Sequence, residues 1–311
     1  MSNCGQIISV NISKEKGVAK QPVGEIVINN YGVVNDAHAG PWHRQVSLLS
    51  QEDILCFSAE MGREITYGEF AENITVSGID LSRAAILDSF RIGAVELQIT
   101  QIGKKCHGDG CAIYQQVGKC VMPNKGLFCR VISGGEVAAG DAVEFIPRML
   151  NILVITLSDR ASAGEYANRS GPRAKQLIEE YFTDKRWHLR IDTILMADDA
   201  VRLRNELEQA IQRQVDVVFT LGGTGIGPRD ITPETIASLG GKTIPGIMEN
   251  IRIKFGATKP SALLSRSVAA IAQKTQIYAL PGSVKAVEEY LSEITKTLEH
   301  AIFMIHGLDV H

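Results

Sequence analysis

The sequence predicts a chain of two domains, a β-rich, barrel-like one over residues 1–147 and an α/β one over residues 148–311 built on a mainly parallel sheet. Three observations carry that prediction. The first half is a series of short β-branched or apolar runs separated by turn dipeptides, with one helical stretch. All six cysteines (Cys4, Cys56, Cys106, Cys111, Cys120 and Cys129) lie in that half. The second half alternates strand-like apolar runs with helices of 3.6-residue period, and one strand runs directly into a glycine-rich turn.

In the first half the strand candidates are Gly5–Ile12, Val23–Asn29, Gln45–Leu49, Asn73–Val76, Ser89–Ile92, Val95–Thr100 and Ala142–Ile146. Asn29-Asn30, Ser77-Gly78 and Gly134-Gly135 punctuate them. A helix is expected from Ser50, which can cap it, with Glu52 and Asp53 suiting the first turn. Pro147-Arg148-Met149 closes the last strand, so the boundary is expected near residues 147–150. Beyond it the strands are Ile152–Leu157, Leu189–Leu195, Val217–Leu221 and Thr275–Leu280. Helical spacing covers Gly171–Phe182, Val201–Gln212, Ile247–Phe255, Leu263–Ala270 and Val284–Ala301, with a short helix running through Thr235–Leu239.

With 311 residues, 45 % hydrophobic and 22 % charged, each half has enough apolar material for a core. Residues 1–147 carry 12 Lys and Arg against 16 Asp and Glu, and the remainder carries 20 against 19. Neither half has the positive field of a nucleic-acid binder. No apolar run approaches the ~20 residues of a membrane span, and the N-terminal stretch lacks the apolar core of a signal peptide. A cytoplasmic setting is therefore expected, in which disulfides are rare.

Two stretches carry chemistry. In Lys104–Arg130, Cys106 and Cys111 flank His107-Gly108-Asp109-Gly110, and Cys120 follows. Lys104 and Lys105 beside Cys106 favour a thiolate, the form that attacks or ligates. The spacing is not a common zinc pattern, and Cys129 and Cys56, set in apolar runs, read as small buried hydrophobes. In Val215–Glu234, Gly222, Gly223, Thr224, Gly225 and Gly227 follow a buried strand. Backbone N–H groups in such a turn form an anion-binding concavity. The turn lacks the Gly-Lys-Ser/Thr ending of a P-loop and the spacing of a dinucleotide fingerprint. Asp230 reads as a helix cap before Thr232-Pro233-Glu234. A carboxylate beside a phosphate cradle also calls for a cation, which makes Mg²⁺ with a nucleotide a natural reading. In parallel sheets ligands sit beyond the carboxyl ends of strands, so Ser158-Asp159-Arg160, Asp198-Asp199, Gly222–Asp230 and Pro281-Gly282-Ser283 are the positions to read.

The first half resembles the MOSC domain. The likeness rests on Gly32–Gly40, Arg44–Leu49, Phe70–Gly78 and Gly126–Val131, with Gly135 and Gly140-Asp141. Many family members carry Gly-Asp-Arg-His where this chain has Val34-Asn35-Asp36-Ala37-His38. The resemblance implies a β-rich fold and a sulfur-carrying or sulfur-receiving cysteine, a role open among Cys106, Cys111 and Cys120. His38 and His43 are the histidines near these stretches, and a lone histidine is more often structural.

The second half, over about residues 151–304, resembles the molybdopterin adenylyltransferases of the Mog/MoaB-like fold, also found in gephyrin. The likeness rests on Gly222–Gly225 with Arg229–Glu234, then Pro245-Gly246, Glu249, Arg252, Ser261-Ala262, Leu264–Arg266 and Leu280–Ser283. It implies transfer of AMP from Mg-ATP to molybdopterin with release of pyrophosphate. Asp198 and Asp230 would then be the catalytic acids that organise Mg²⁺. Gly222, Gly223, Thr224 and Gly225 would hold a phosphate, with Ser158, Asp159 and Ser283 helping to place the ligands. Arg229 would offset charge or lie solvated, and Asp199 reads as a helix N-terminal acid. The implied partners are pterin and nucleotide, with molybdoenzymes or other cofactor-pathway proteins as recipients, and the implied assembly is a homotrimer. Two alternatives stay open: a pterin-binding protein without catalysis, and a sulfur-carrier or cofactor-delivery protein. The sequence does not distinguish molybdenum from tungsten.

Overall fold

The computed structural model describes residues 2–104 and 120–308. The chain divides into two compact units, Met1–Arg148 with Arg186–His188, and Met149–Lys185 with Leu189–His311.

The strands of the first unit are β1 (Cys4–Ile12), β2 (Gln21–Val23), β3 (Glu25–Asn29), β4 (Gly32–Val33), β5 (Val46–Ser50), β6 (Ile74–Ser77), β7 (Ser89–Ile92), β8 (Val95–Ile102), β9 (Leu127–Ser133), β10 (Gly135–Ala138) and β11 (Ala142–Ile146). Seven of them close on themselves in the order β11-β7-β8-β9-β5-β6-β1, because β1 pairs with both β6 and β11. Closure leaves no free edge among those seven strands. A second, three-stranded sheet has the order β10-β3-β4. Alternation is plain in β3, where Ile26 and Ile28 are buried while Glu25, Val27 and Asn29 are exposed. Those two isoleucines join Val10, Leu48, Phe90, Leu97, Ile99 and Phe145 in one apolar core.

The helix predicted from Ser50 is α1 (Gln51–Met61). The Ser50 hydroxyl accepts the Asp53 N–H at 3.0 Å, and Gly62 ends the helix at φ 64°. Three expectations in this unit change. The run Val23–Asn29 is broken at Gly24 into β2 and β3. Strands β9 and β10 were legible only as stretches of family likeness, since their apolar run carries cysteine, arginine and glycine that mask a period of two. Cys56 is exposed rather than buried, because it faces outward on α1, whereas Cys129 is fully buried in the barrel core. The short α2 (Met122–Lys125) precedes β9.

The second unit contains β12 (Met149–Leu157), α3 (Asp159–Ser162), α4 (Ser170–Phe182), β13 (His188–Met196, all but its first residue), α5 (Ala200–Gln212), β14 (Val217–Leu221), α6 (Thr232–Ala237), β15 (Lys242–Thr243), α7 (Pro245–Gly256), β16 (Ala269–Ala272), β17 (Thr275–Leu280) and α8 (Val284–Ile305). The sheet order is β13-β12-β14-β17-β16-β15. It is a mixed sheet, which corrects the mainly parallel expectation. β12, β14 and β17 run parallel at its centre, but β16 pairs antiparallel with β17 and β15 antiparallel with β16. The predicted helix over Leu263–Ala270 is absent. A 3₁₀ turn at Pro260–Leu264 precedes β16 instead, a case where a short apolar run has no decisive period until a neighbouring strand claims it. Every residue of β14 is buried, as expected for a central strand covered on both faces.

Candidate active site

The site lies where the parallel strands end. The Gly222 N–H donates to Leu280 O at 2.9 Å and the Ser158 N–H to Met196 O at 2.9 Å. These bonds bring the residues following β12, β13, β14 and β17 to one edge of the sheet. The first two positions of the turn after β14 are confined to glycine for steric reasons. Gly222 has φ 115°, and a Cβ there would collide with the Leu157 carbonyl. Gly223 has φ 62°, and its Cβ would collide with the Thr232 hydroxyl. The Thr232 hydroxyl donates to Gly222 O at 2.9 Å and its N–H to Gly223 O at 3.0 Å, so the start of α6 clamps the turn.

Asp230 does not cap α6, contrary to its sequence reading. The residue before the helix is Ile231, which offers no side-chain acceptor. The Asp230 carboxylate turns back into its own loop and accepts the Gly227 N–H at 2.8 Å. Pro233 does occupy the first helical turn, and Glu234 is the acid there. Asp198, following β13, lines the same cleft as Asp230, together with Ser158, Asp159, Gly223 and Arg229; its volume is about 330 Å³. Arg229 pairs with the Asp159 carboxylate.

Burial pushes the Asp198 carboxyl above the usual carboxylate range. The negative neighbours Asp159 and Asp230 add to the rise, while the Asp159 N–H and Arg229 oppose it. Three acids thus repel one another around a polar cleft. Among the described residues no group of three or more His, Cys, Asp or Glu side chains is arranged to hold a metal ion. Two carboxylates in one cleft nevertheless suit Mg²⁺, which is commonly held by one or two carboxylates with substrate phosphates completing its shell.

Two further hollows adjoin this cleft. One, of about 340 Å³, is lined by Gly223, Thr224, Asp230, Ser265, Ser283 and Tyr290, among others. The other, of about 620 Å³, is lined by Ser158, Arg160, Tyr166, Asn168 and Ser283, among others. Ser158 and Ser283 cap α3 and α8, accepting N–H groups of Ala161 and Ala286 at 3.2 and 3.3 Å. Asp199 caps α5 through the Val201 and Arg202 N–H groups, consistent with its reading as a helix N-terminal acid. Arg266 was read only as part of a likeness, yet its side chain bonds to the Asp230 loop. No local pattern announces such a contact, since its partners lie 36 to 41 positions away.

In the barrel, Cys106 and Cys111 lie outside the described residues, and Cys120 is half-buried. The stretch that departs from the family pattern holds a buried ion pair. Lys20 and Asp36, both nearly inaccessible, bond to each other, and His38 Nδ1 lies 3.4 Å from the Lys20 ammonium.

Residues 35–144 match the MOSC domain family and residues 153–300 match a family described as a probable molybdopterin binding domain. Over half of this chain, a Synechococcus elongatus molybdenum cofactor biosynthesis bifunctional protein is 36 % identical across 156 residues, and the match spans only 47 % of that protein. A Helicobacter pylori molybdopterin adenylyltransferase is 33 % identical across 159 residues, 51 % of this chain and 89 % of that protein. Gephyrin of Dictyostelium discoideum is 33 % identical over 50 % of this chain and 22 % of its own length. The chain therefore belongs to the molybdenum cofactor biosynthesis proteins, as a MOSC domain followed by a Mog/MoaB-like domain of the molybdopterin adenylyltransferase family.

Proposed function

We propose that the second domain transfers AMP from Mg-ATP to molybdopterin. The observation that carries this reading is that Asp198 and Asp230, which come from different strand ends, line one cleft beside the Gly222–Gly225 turn. In the reaction, an oxygen of the pterin's terminal phosphate attacks the α-phosphorus of ATP. The new P–O bond forms as the α–β bond breaks, and pyrophosphate leaves. Such a transfer asks the protein for alignment and charge neutralisation rather than covalent help. Mg²⁺, when bound by Asp198 and Asp230, would supply the charge neutralisation. The turn's backbone and the Thr224 hydroxyl hold a phosphate, and Ser158, Asp159 and Ser283 border the space for the two substrates.

The test is pyrophosphate release by the purified chain given molybdopterin and Mg-ATP. Asp230→Asn should lower it by about 100-fold or more, the scale of losing a group that stabilises transition-state charge. Undiminished release from that variant would refute catalysis by Asp230 at this site, and no release from the wild-type chain would leave a pterin-binding role.

The barrel's role is proposed separately as handling sulfur or bound cofactor through Cys106, Cys111 or Cys120. A covalent link raises the effective concentration of one module at the other. Alkylating the full chain should then abolish sulfur transfer and spare pyrophosphate release; a treatment that alters neither would rule out a thiol role.

A further inference from the structure

Arg266 lies between the 3₁₀ turn at Pro260–Leu264 and β16, about forty residues beyond the glycine turn. Its backbone N–H donates to Thr224 O at 2.8 Å. Its guanidinium reaches further along the same loop, Nε donating to Gly225 O at 2.6 Å and Nη2 to Asp230 O at 2.7 Å. Nη1 pairs with the Glu234 carboxylate in the first turn of α6. One side chain thus holds both ends of the segment Gly225–Asp230.

The segment needs holding. Residues 226–229 are exposed, Ile226 at 71 %, and contribute little packing; their tie to the rest of the domain is the Arg229–Asp159 ion pair, which is largely solvated on the arginine side. The bonds that Asp230 makes with Gly227, N–H to carbonyl at 3.1 Å and carboxylate to N–H at 2.8 Å, close the loop on itself without tying it to the fold. A guanidinium offers five N–H donors in a rigid plane, so it can serve two carbonyls and a carboxylate at once; an ammonium on a flexible stem cannot hold the same fork.

We propose that Arg266 is the positioning residue for Asp230, setting its carboxylate in the cleft by clamping Gly225 and Asp230 through their carbonyls, with Glu234 orienting the guanidinium. This rests on the adenylyl-transfer reading above, in which Asp230 acts on the phosphates. Arg266 is not among the residues lining the cleft or either adjoining hollow. Its influence is felt in alignment, where a displacement of about 1 Å is enough to cost a factor of about 100 in rate.

The experiment measures kcat and KM for pyrophosphate release from Mg-ATP and molybdopterin with four full-length proteins: wild type, Arg266→Gln, Asp230→Asn and the double variant. Arg266→Gln should lower kcat by about 10- to 100-fold with KM for Mg-ATP changed by less than about threefold. Because it acts through Asp230, the double variant should be no slower than Asp230→Asn alone. Wild-type kcat in Arg266→Gln, or a double variant in which the two losses multiply, would overturn the assignment. Should Arg266→Gln fail to fold, Glu234→Gln, altering an exposed carboxylate, takes its place. It should slow the wild-type background and not the Asp230→Asn background, and a wild-type rate overturns the assignment equally. If Asp230→Asn keeps full activity, adenylyl transfer at this site is itself refuted and the Arg266 assignment falls with it. If Asp230→Asn loses activity and Arg266→Gln is fully active, only the assignment fails.

Discussion

Asp159 and Asp198, at the ends of adjacent strands, exchange hydrogen bonds: the Asp198 N–H donates to Asp159 Oδ1 at 2.9 Å, and the Asp159 N–H donates to Asp198 Oδ2 at 3.3 Å. Each carboxylate therefore spends one oxygen on the other's backbone. The like charges stay side by side because those N–H donors and Arg229 offset part of their repulsion. Such a pair is costly to keep and useful where a cation or a phosphate must be positioned.

Neutralising Asp198 separates that cost from its use. The carboxyl sits above its usual range in the folded chain, so the folded state holds its proton more tightly, and stability from this group declines as pH rises through that raised range. Asp198→Asn should leave Tm at pH 8 unchanged or higher while pyrophosphate release drops by about 100-fold or more. A variant that is destabilised at pH 8 and still active would contradict both halves of this account.

Gly223 should tolerate no side chain. Gly223→Ala places a methyl group against the Thr232 hydroxyl at φ 62°, where an L-residue is already strained. The expected cost is about 1–3 kcal/mol of stability, with loss of activity. Gly240, also at positive φ but with open space around its Cβ position, is the control; its alanine variant should cost about 1 kcal/mol and keep activity. Equal effects at the two positions, by denaturant titration and assay, would count against the clash with Thr232.

Glu72 in the barrel gives a pH signature of its own. Burial pushes its carboxyl up to about 7, against hydrogen bonds from the Gly68 N–H and the Thr75 hydroxyl. Among the described residues its second oxygen has no hydrogen-bond partner. Its pKa is higher folded than unfolded, so the proton is held more tightly in the native state. Stability is then greatest at low pH and falls as pH rises from the ordinary glutamate range through about 7. Glu72→Gln should remove that dependence and stabilise the chain at pH 8 relative to pH 5 by on the order of 2–3 kcal/mol. Parallel stability curves for the two proteins across this range would show that Glu72 is not the group responsible.

Thiol reactivity should divide the described cysteines. Burial raises the Cys129 thiol far above its ordinary range, and the side chain is inaccessible inside the barrel. Cys4 and Cys56 are exposed. Iodoacetamide on the native chain should label Cys4 and Cys56 and spare Cys129 until denaturant is added. Mass spectrometry finding Cys129 labelled in the native protein would mean the barrel opens far more readily than its core packing implies.

Sequence alone settled the two-domain character, the cap at Ser50, the buried strand Val217–Leu221 and its glycine turn, because each depends on local chemistry: a side-chain acceptor one turn before its N–H, an unbroken apolar run, the lack of a Cβ. The same locality made Asp230 look like a cap and Leu263–Ala270 like a helix. Tertiary structure decided otherwise. Strand β17 recruits Ala269–Ala272 as an antiparallel neighbour, and Arg266 holds the loop that turns the Asp230 carboxylate away from α6. The closing of the barrel through β1 and β11, and the meeting of Asp198 with Asp230, are pairings of residues far apart in the chain. No short window of sequence contains both partners, so only the folded chain determines them.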